Sequence, residues 1–247
     1  KELVNQVSKN GFTCLINACC YSPKLAKNIL ESQWCSQELV NQVNKYDYNC
    51  LINACFKYSK LAKYILESKW CNQKLVNQVS KDGFNCLINA CYSFEGLALY
   101  ILKSKWCNHK LVNQVSKGGY TCLINSCCNF PKVAKYILNS KWCTQELVNQ
   151  KIKTGEYNGN NCLINACIKI PKLALYILKS KWCNKILVNQ ETRRGYNCLL
   201  YACKHSSELA KYIFRSKWCN KKLVNQVTNN GYNCLMLACE HDSKLAK

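Results

Sequence analysis

A chain of 247 residues, 49% of them hydrophobic, has enough apolar material for a continuous core. No apolar run approaches the roughly 18 residues of a membrane-spanning helix, so no spanning helix is expected. The net charge of +22 favours polyanionic partners and solubility but carries no information about fold. It is unevenly spread: between Leu97 and Gln190, 14 lysines face only Glu146 and Glu156.

Self-similarity dominates the chain. The string Cys-Leu-Ile-Asn-Ala-Cys, or a near variant, begins at Cys14, Cys50, Cys86, Cys122, Cys162, Cys198 and Cys234. The steps are 36, 36, 36, 40, 36 and 36 residues. All six tryptophans (Trp34, Trp70, Trp106, Trp142, Trp182 and Trp218) follow the same steps. Leu-Val-Asn-Gln recurs from Leu3 onward. The step of 40 has its source in Lys151 to Asn161, four residues longer than its counterparts and placed in a connector, where insertions are tolerated. The pattern reads as one array over 1–247, with repeat cores near 11–35, 47–71, 83–107, 119–143, 159–183, 195–219 and 231–247. No secretory leader is expected before the first unit. The chain starts in a connector and stops within a helix, so a piece of a longer protein is expected, its capping repeats outside these residues.

Within a unit the elements follow in a fixed order. Asp82-Gly83 is a turn signal, the glycine supplying a positive φ. Asn85 has the side chain of an N-cap, and Cys86 to Cys91 reads as a short first helix with one broad apolar face. A second helix opens near Ser22-Pro23, with Pro131 and Pro171 in the same column; proline suits the first helical turn because its missing N–H has no partner there anyway. Its apolar stripe is Leu25, Ala26, Ile29 and Leu30, with Lys24 and Lys27 facing out. After the tryptophan comes a second cap column, Ser36, Asn72, Asn108, Thr144, Asn184 and Asn220, which predicts a third short helical turn. The tryptophan column is expected to lie across the seam between neighbouring units.

Twenty-two cysteines would suit a disulfide scaffold, but their placement argues against one. Twenty fall in three columns, those of Cys14, Cys19 and Cys35. Cys14 and Cys19 project about 140° apart on one helix and cannot pair. Stacked equivalents lie beyond the roughly 7 Å Cα separation a disulfide tolerates. Reduced, buried thiols acting as small hydrophobes are expected. Cys20 and Cys128 fall outside the columns and are the expected exposed thiols. His109, His205 and His241 are scattered, with no zinc-ligand spacing, so no metal or other cofactor is called for. No phosphate-binding glycine loop, triad or acid pair points to catalysis, and no catalytic residue is assigned.

Gly83 to Cys91 resembles the G-x-T-P-L-H-x-A-A core of the ankyrin repeat. Leu75-Val76-Asn77 resembles the D-V-N that precedes the ankyrin turn, and the Ile-Leu pair of the second helix resembles its V-x-x-L-L. The resemblance spans essentially the whole chain. Cysteine stands where the family has proline, and Ile, Leu or Met where it has histidine, so the family's Thr–His hydrogen bond is lost. The unit is also about three residues longer than the ankyrin 33. The resemblance implies an all-α fold, an α-solenoid of about seven helix-turn-helix repeats with an extra short helical turn in each. The bias toward Asn, Lys, Ile and Tyr is similar to that of ankyrin-like proteins of giant DNA viruses of amoebae. This implies an intracellular site of action, in host cytoplasm or nucleus, or in the virion.

Such an array implies a non-catalytic protein–protein interaction scaffold, and the viral resemblance a host-directed one, whose variable columns meet the partner. One column is the pair at each finger tip: Lys9 and Asn10, Lys45 and Tyr46, Lys81 and Asp82, Lys117, and Arg193 and Arg194. The insertion adds Lys153, Glu156 and Tyr157. The other column follows the first helix: Tyr21, Phe56 and Lys57, Tyr92, Asn129, Lys169, and Lys204 and His205. In ankyrin-like proteins these positions map to the finger tips and the adjoining concave face. Two alternatives stand beside this reading. One is a basic array binding nucleic acid or another polyanion, with Lys69, Lys105, Lys141, Lys181 and Lys217 beside the tryptophans. The other is a structural array stacking end to end in a virion or filament.

Overall fold

The protein is described by a computed structural model covering residues 3–241. The chain forms two compact units, Lys1–Lys117 and Gly118–Lys247. Both are built from α-helices, and among the described residues there is no strand beyond one isolated bridge between Lys151 and Asn161. Each unit is an α-solenoid in which first helices stack on first helices and second on second.

In the first unit the first helices are Cys14–Tyr21, Cys50–Lys57 and Cys86–Ser93. The second helices are Pro23–Glu31, Ser59–Glu67 and Glu95–Lys103, and the short third ones Gln37–Asn41, Gln73–Val76 and His109–Val112. The second unit has first helices Cys122–Asn129, Cys162–Lys169, Cys198–His205 and Cys234–His241. Its second helices are Pro131–Asn139, Pro171–Lys179 and Ser207–Arg215, and its third helices Gln145–Val148, Lys185–Val188 and Lys221–Asn225.

The cap columns explain where these helices start. The Asn85 side chain accepts from the Ile88 N–H at 2.8 Å, and Asn72 does the same for Leu75 at 2.8 Å. The first-helix cap does more than the sequence indicates. Its amide donates to the end of the third helix, Asn85 to the Leu111 carbonyl at 2.8 Å and Asn197 to that of Leu223 at 2.9 Å. One buried side chain thus joins two helices of a unit. First helices run to Tyr21 or its equivalent, two residues past the second cysteine, because the backbone keeps helical bonds until Ser22 closes on Ala18.

Leu61, Ala62, Ile65 and Leu66 are fully packed, as the apolar stripe requires. In the first repeat Leu25 is 51% exposed, so that part of the expected stripe is not buried there. Trp70 Nε1 donates to the Leu30 carbonyl at 3.0 Å and Trp182 Nε1 to that of Leu138 at 2.7 Å, and Trp106 and Trp218 do the same, which places these four tryptophans across seams within the units.

The thiols are free. Two expectations about them need correction. Cys20 and Cys128 are half-buried, because the next repeat covers the end of the helix they occupy; Lys57 and Tyr58 both reach the Cys20 carbonyl. The exposed thiol is Cys239, on the last described helix. Unlike columns come close enough to act on one another: Cys50 raises the pKa of Cys19, Cys86 that of Cys55 and Cys162 that of Cys127, each across a seam.

Candidate interaction surface

Each finger is a tight turn closed by two backbone bonds. Ser8 N–H reaches the Phe12 carbonyl at 3.0 Å, and Gly11 N–H returns to Ser8 at 2.8 Å. A polar side chain at the finger base adds a third bond, Ser80 Oγ accepting from Phe84 N–H at 3.0 Å and Thr192 Oγ1 from Tyr196 N–H at 3.2 Å. The two residues left at the tip therefore project outward with their backbone fixed.

The tips are also stitched to one another. In the first unit Lys45 N–H donates to the Asn10 carbonyl, Lys81 to Tyr46 and Lys117 to Asp82, at 2.8, 2.9 and 2.8 Å. In the second, Lys153 donates to Gly118, Arg193 to Asn158 and Asn229 to Arg194, at 2.8, 2.8 and 3.0 Å. The same first-tip position carries Lys9, Lys45, Lys81 and Lys117 in the first unit and Lys153 and Arg193 in the second, cations whose backbone register is locked within each unit. Lys153 and Asn158 occupy the two ordinary tip positions of the fifth finger, so the four extra residues Thr154, Gly155, Glu156 and Tyr157 all lie beyond them. All four are exposed, Tyr157 by 56%. Glu156 pairs with Arg194 at 3.2 Å, and an open depression of about 390 Å³ between Lys151, Glu191, Arg193 and Asn229 runs along this edge.

The post-helix residues form a second row. In the first unit the Lys57 ammonium lies 5.1 Å from the Tyr21 ring centre, and Phe56 stacks on Tyr92 with centroids 6.0 Å apart. In the second unit Asn129 and Lys169 stand exposed at the ends of their helices, while Lys204 is half-buried. The two rows meet at the sixth repeat. Tyr201 takes the column position that Asn165 holds one repeat earlier, stacks on Tyr196 at 4.7 Å and lies 6.1 Å from His205. Lys204 sits 6.0 Å from the Tyr196 ring. Burial raises the Tyr201 pKa, opposed by a hydrogen bond with Thr192 and the charge of Arg194. Burial lowers the His205 pKa, reinforced by Lys204, His241 and Lys169.

Of the sequence candidates, every one is exposed except Lys204. Lys45 with Tyr46, Tyr21 with Lys57, Phe56 with Tyr92, and Glu156 with Arg194 are brought together; the tip row and the post-helix row otherwise stay separate. Tyr196 and Tyr201 were not among the candidates. The signal was present, since Tyr201 breaks an asparagine column that holds through the five preceding repeats, from Asn17 to Asn165. Among the described residues no group of three or more His, Cys, Asp or Glu is placed to hold a metal ion, and no helix is long and apolar enough to cross a membrane.

No family model and no curated protein matches the chain. Among solved structures it is similar to a chain of the complex described as the predatory endopeptidase Bd0816 from Bdellovibrio bacteriovorus with immunity protein Bd3460. The TM-score is 0.57 at 18% identity, over 79% of this chain and 94% of that one. At that identity the likeness concerns the fold alone.

Proposed function

We propose that this protein is a non-catalytic, ankyrin-like scaffold that holds a protein partner along its finger tips and post-helix row. One observation carries the reading. The tips present exposed, non-identical side chains on a backbone that hydrogen bonds hold in fixed register, so the partner meets a preorganised surface and little ordering entropy opposes binding. Tyr46 (48% exposed), Tyr92 and Tyr157 supply the large aromatic contacts typical of binding hot spots, and the lysine and arginine row supplies steering charge. The solved neighbour comes from a complex between two proteins, in keeping with a binding role.

The test is photo-crosslinking in the native host at physiological salt. A crosslinking amino acid is placed at Tyr46 or Tyr157, and at the exposed Lys74 on a third helix as control. A protein adduct formed from the two finger positions, absent from Lys74 and surviving nuclease, is expected. Adducts from Lys74 alone, or adducts abolished by nuclease, would overturn the reading.

A further inference from the structure

The second helices carry a separate feature. Where one ends and the next repeat's tryptophan begins, there is a notch with an aromatic floor. In the second unit two such notches adjoin and share Lys179 and Ser180, with volumes of about 320 and 480 Å³. The first is floored by Tyr176 and Trp182, the second by Tyr212 and Trp218. Lysines lie over these rings, Lys181 at 4.7 Å from the centre of Trp182, Lys217 at 4.8 Å from Trp218 and Lys179 at 5.3 Å from Tyr212. An ammonium over a ring is held by the quadrupole while its N–H groups still point outward.

The first unit shows what a self-neutralised version looks like. There the first two second helices end in Glu31 and Glu67, the third in Lys103, and the notch at Tyr100 and Trp106 holds Glu67 beside Lys69, Lys103 and Lys105. Lys27 pairs with Glu31 at 3.6 Å and Lys63 with Glu67 at 3.7 Å. In the second unit the same position holds Asn139, Lys179 and Arg215. No carboxylate lines either notch. The cations thus gather where the internal counter-charge has been removed.

We propose that this paired notch is a binding site for single-stranded nucleic acid. The cations meet phosphates, and the ring edges and ring-capped floors meet the sugar and base of the same strand. An acidic peptide fits less well. A carboxylate side chain supplies the negative charge but no planar ring to lie against the aromatic floor, whereas a nucleotide supplies both.

The test uses the full chain and a fluorescently labelled oligothymidylate of about 20 nucleotides, long enough to cover both notches. Anisotropy is followed at several salt concentrations, with polyglutamate as competitor. Binding that weakens with salt is expected. K179Q/K181Q/K217Q lowers affinity by roughly tenfold and makes the slope of log Kd against log salt shallower by about 2, as three lost phosphate contacts require. K179E/R215E, which restores the residue the first two second helices carry, lowers it at least as much and leaves thermal unfolding unchanged. A matched triple in the finger row, K81Q/K117Q/K153Q, keeps affinity within about twofold. Absence of saturable binding at low salt, equal loss from both triples, or polyglutamate competing as well as unlabelled oligothymidylate would each reject the site.

Discussion

Asp47 holds a left-handed backbone (φ +61°) at the finger position where other repeats have glycine. An L-residue there carries strain of about 1 kcal/mol or more, which asparagine and aspartate tolerate better than most. Asp47→Gly is therefore expected to stabilise the protein by about 1 kcal/mol in urea unfolding, less whatever entropy the glycine adds to the unfolded chain. Gly119 is the opposite case. Its φ is +82°, and a Cβ would collide with the Lys151 carbonyl oxygen of the next finger. Gly119→Ala is expected to cost about 2–4 kcal/mol, since both torsional strain and a backbone clash must be relieved. An unchanged unfolding midpoint would show that neighbouring fingers do not pack as described. The same column thus tolerates a side chain at one repeat and forbids it at another, for a reason that lies in the neighbouring backbone.

At the level of elements, the first-helix cap is the place where local and longer-range structure meet. Asn85 caps its own helix and bonds the end of the third; Thr13 and Thr121 in that column cap but have no amide to donate. Asn85→Thr should retain the cap and cost about 1 kcal/mol for the lost bond to Leu111, whereas Asn85→Ala should cost about 2–3 kcal/mol by losing both. Equal costs for the two would mean the cap contributes nothing. This column also shows how far the sequence could be read. Helix order, the caps, the proline start and the seam tryptophans were legible because each depends on local spacing or on a period that recurs in every repeat. The solenoid followed from the same regularity. What could not be read were contacts between unlike columns: the cap amide reaching the third helix, Cys50 acting on Cys19, and the cover over Cys20. The first depends on how the third helix folds back beneath the first, the other two on how far one repeat is offset from the next, and spacing along the chain encodes neither. The candidate surface was legible as exposed positions, but not the way the two rows converge at Tyr196 and Tyr201.

For the molecule as a whole, the buried thiols make stability depend on alkaline pH. Burial pushes Cys35 up to about 11, and Cys71, Cys143, Cys183, Cys198 and Cys203 up to about 12. In the unfolded chain thiols ionise near 9. The folded pKa values are the higher ones, so the unfolded state releases protons first and stability falls as pH rises from about 9 toward 12. Below 9 this contribution is fully present. Urea midpoints across that range should drop steadily; a flat profile would mean the thiols are ionised in the fold. Fixed register has a consequence of another kind. Fingers that repeat at a constant interval offer a partner with a matching repeat several equivalent alignments, and such a complex can slip by one step at little cost. The Thr154–Tyr157 extension occurs at one finger alone. On the proposed scaffold reading it would serve as an index mark, giving a partner shaped to it one alignment that differs from the rest and converting a graduated edge into an address.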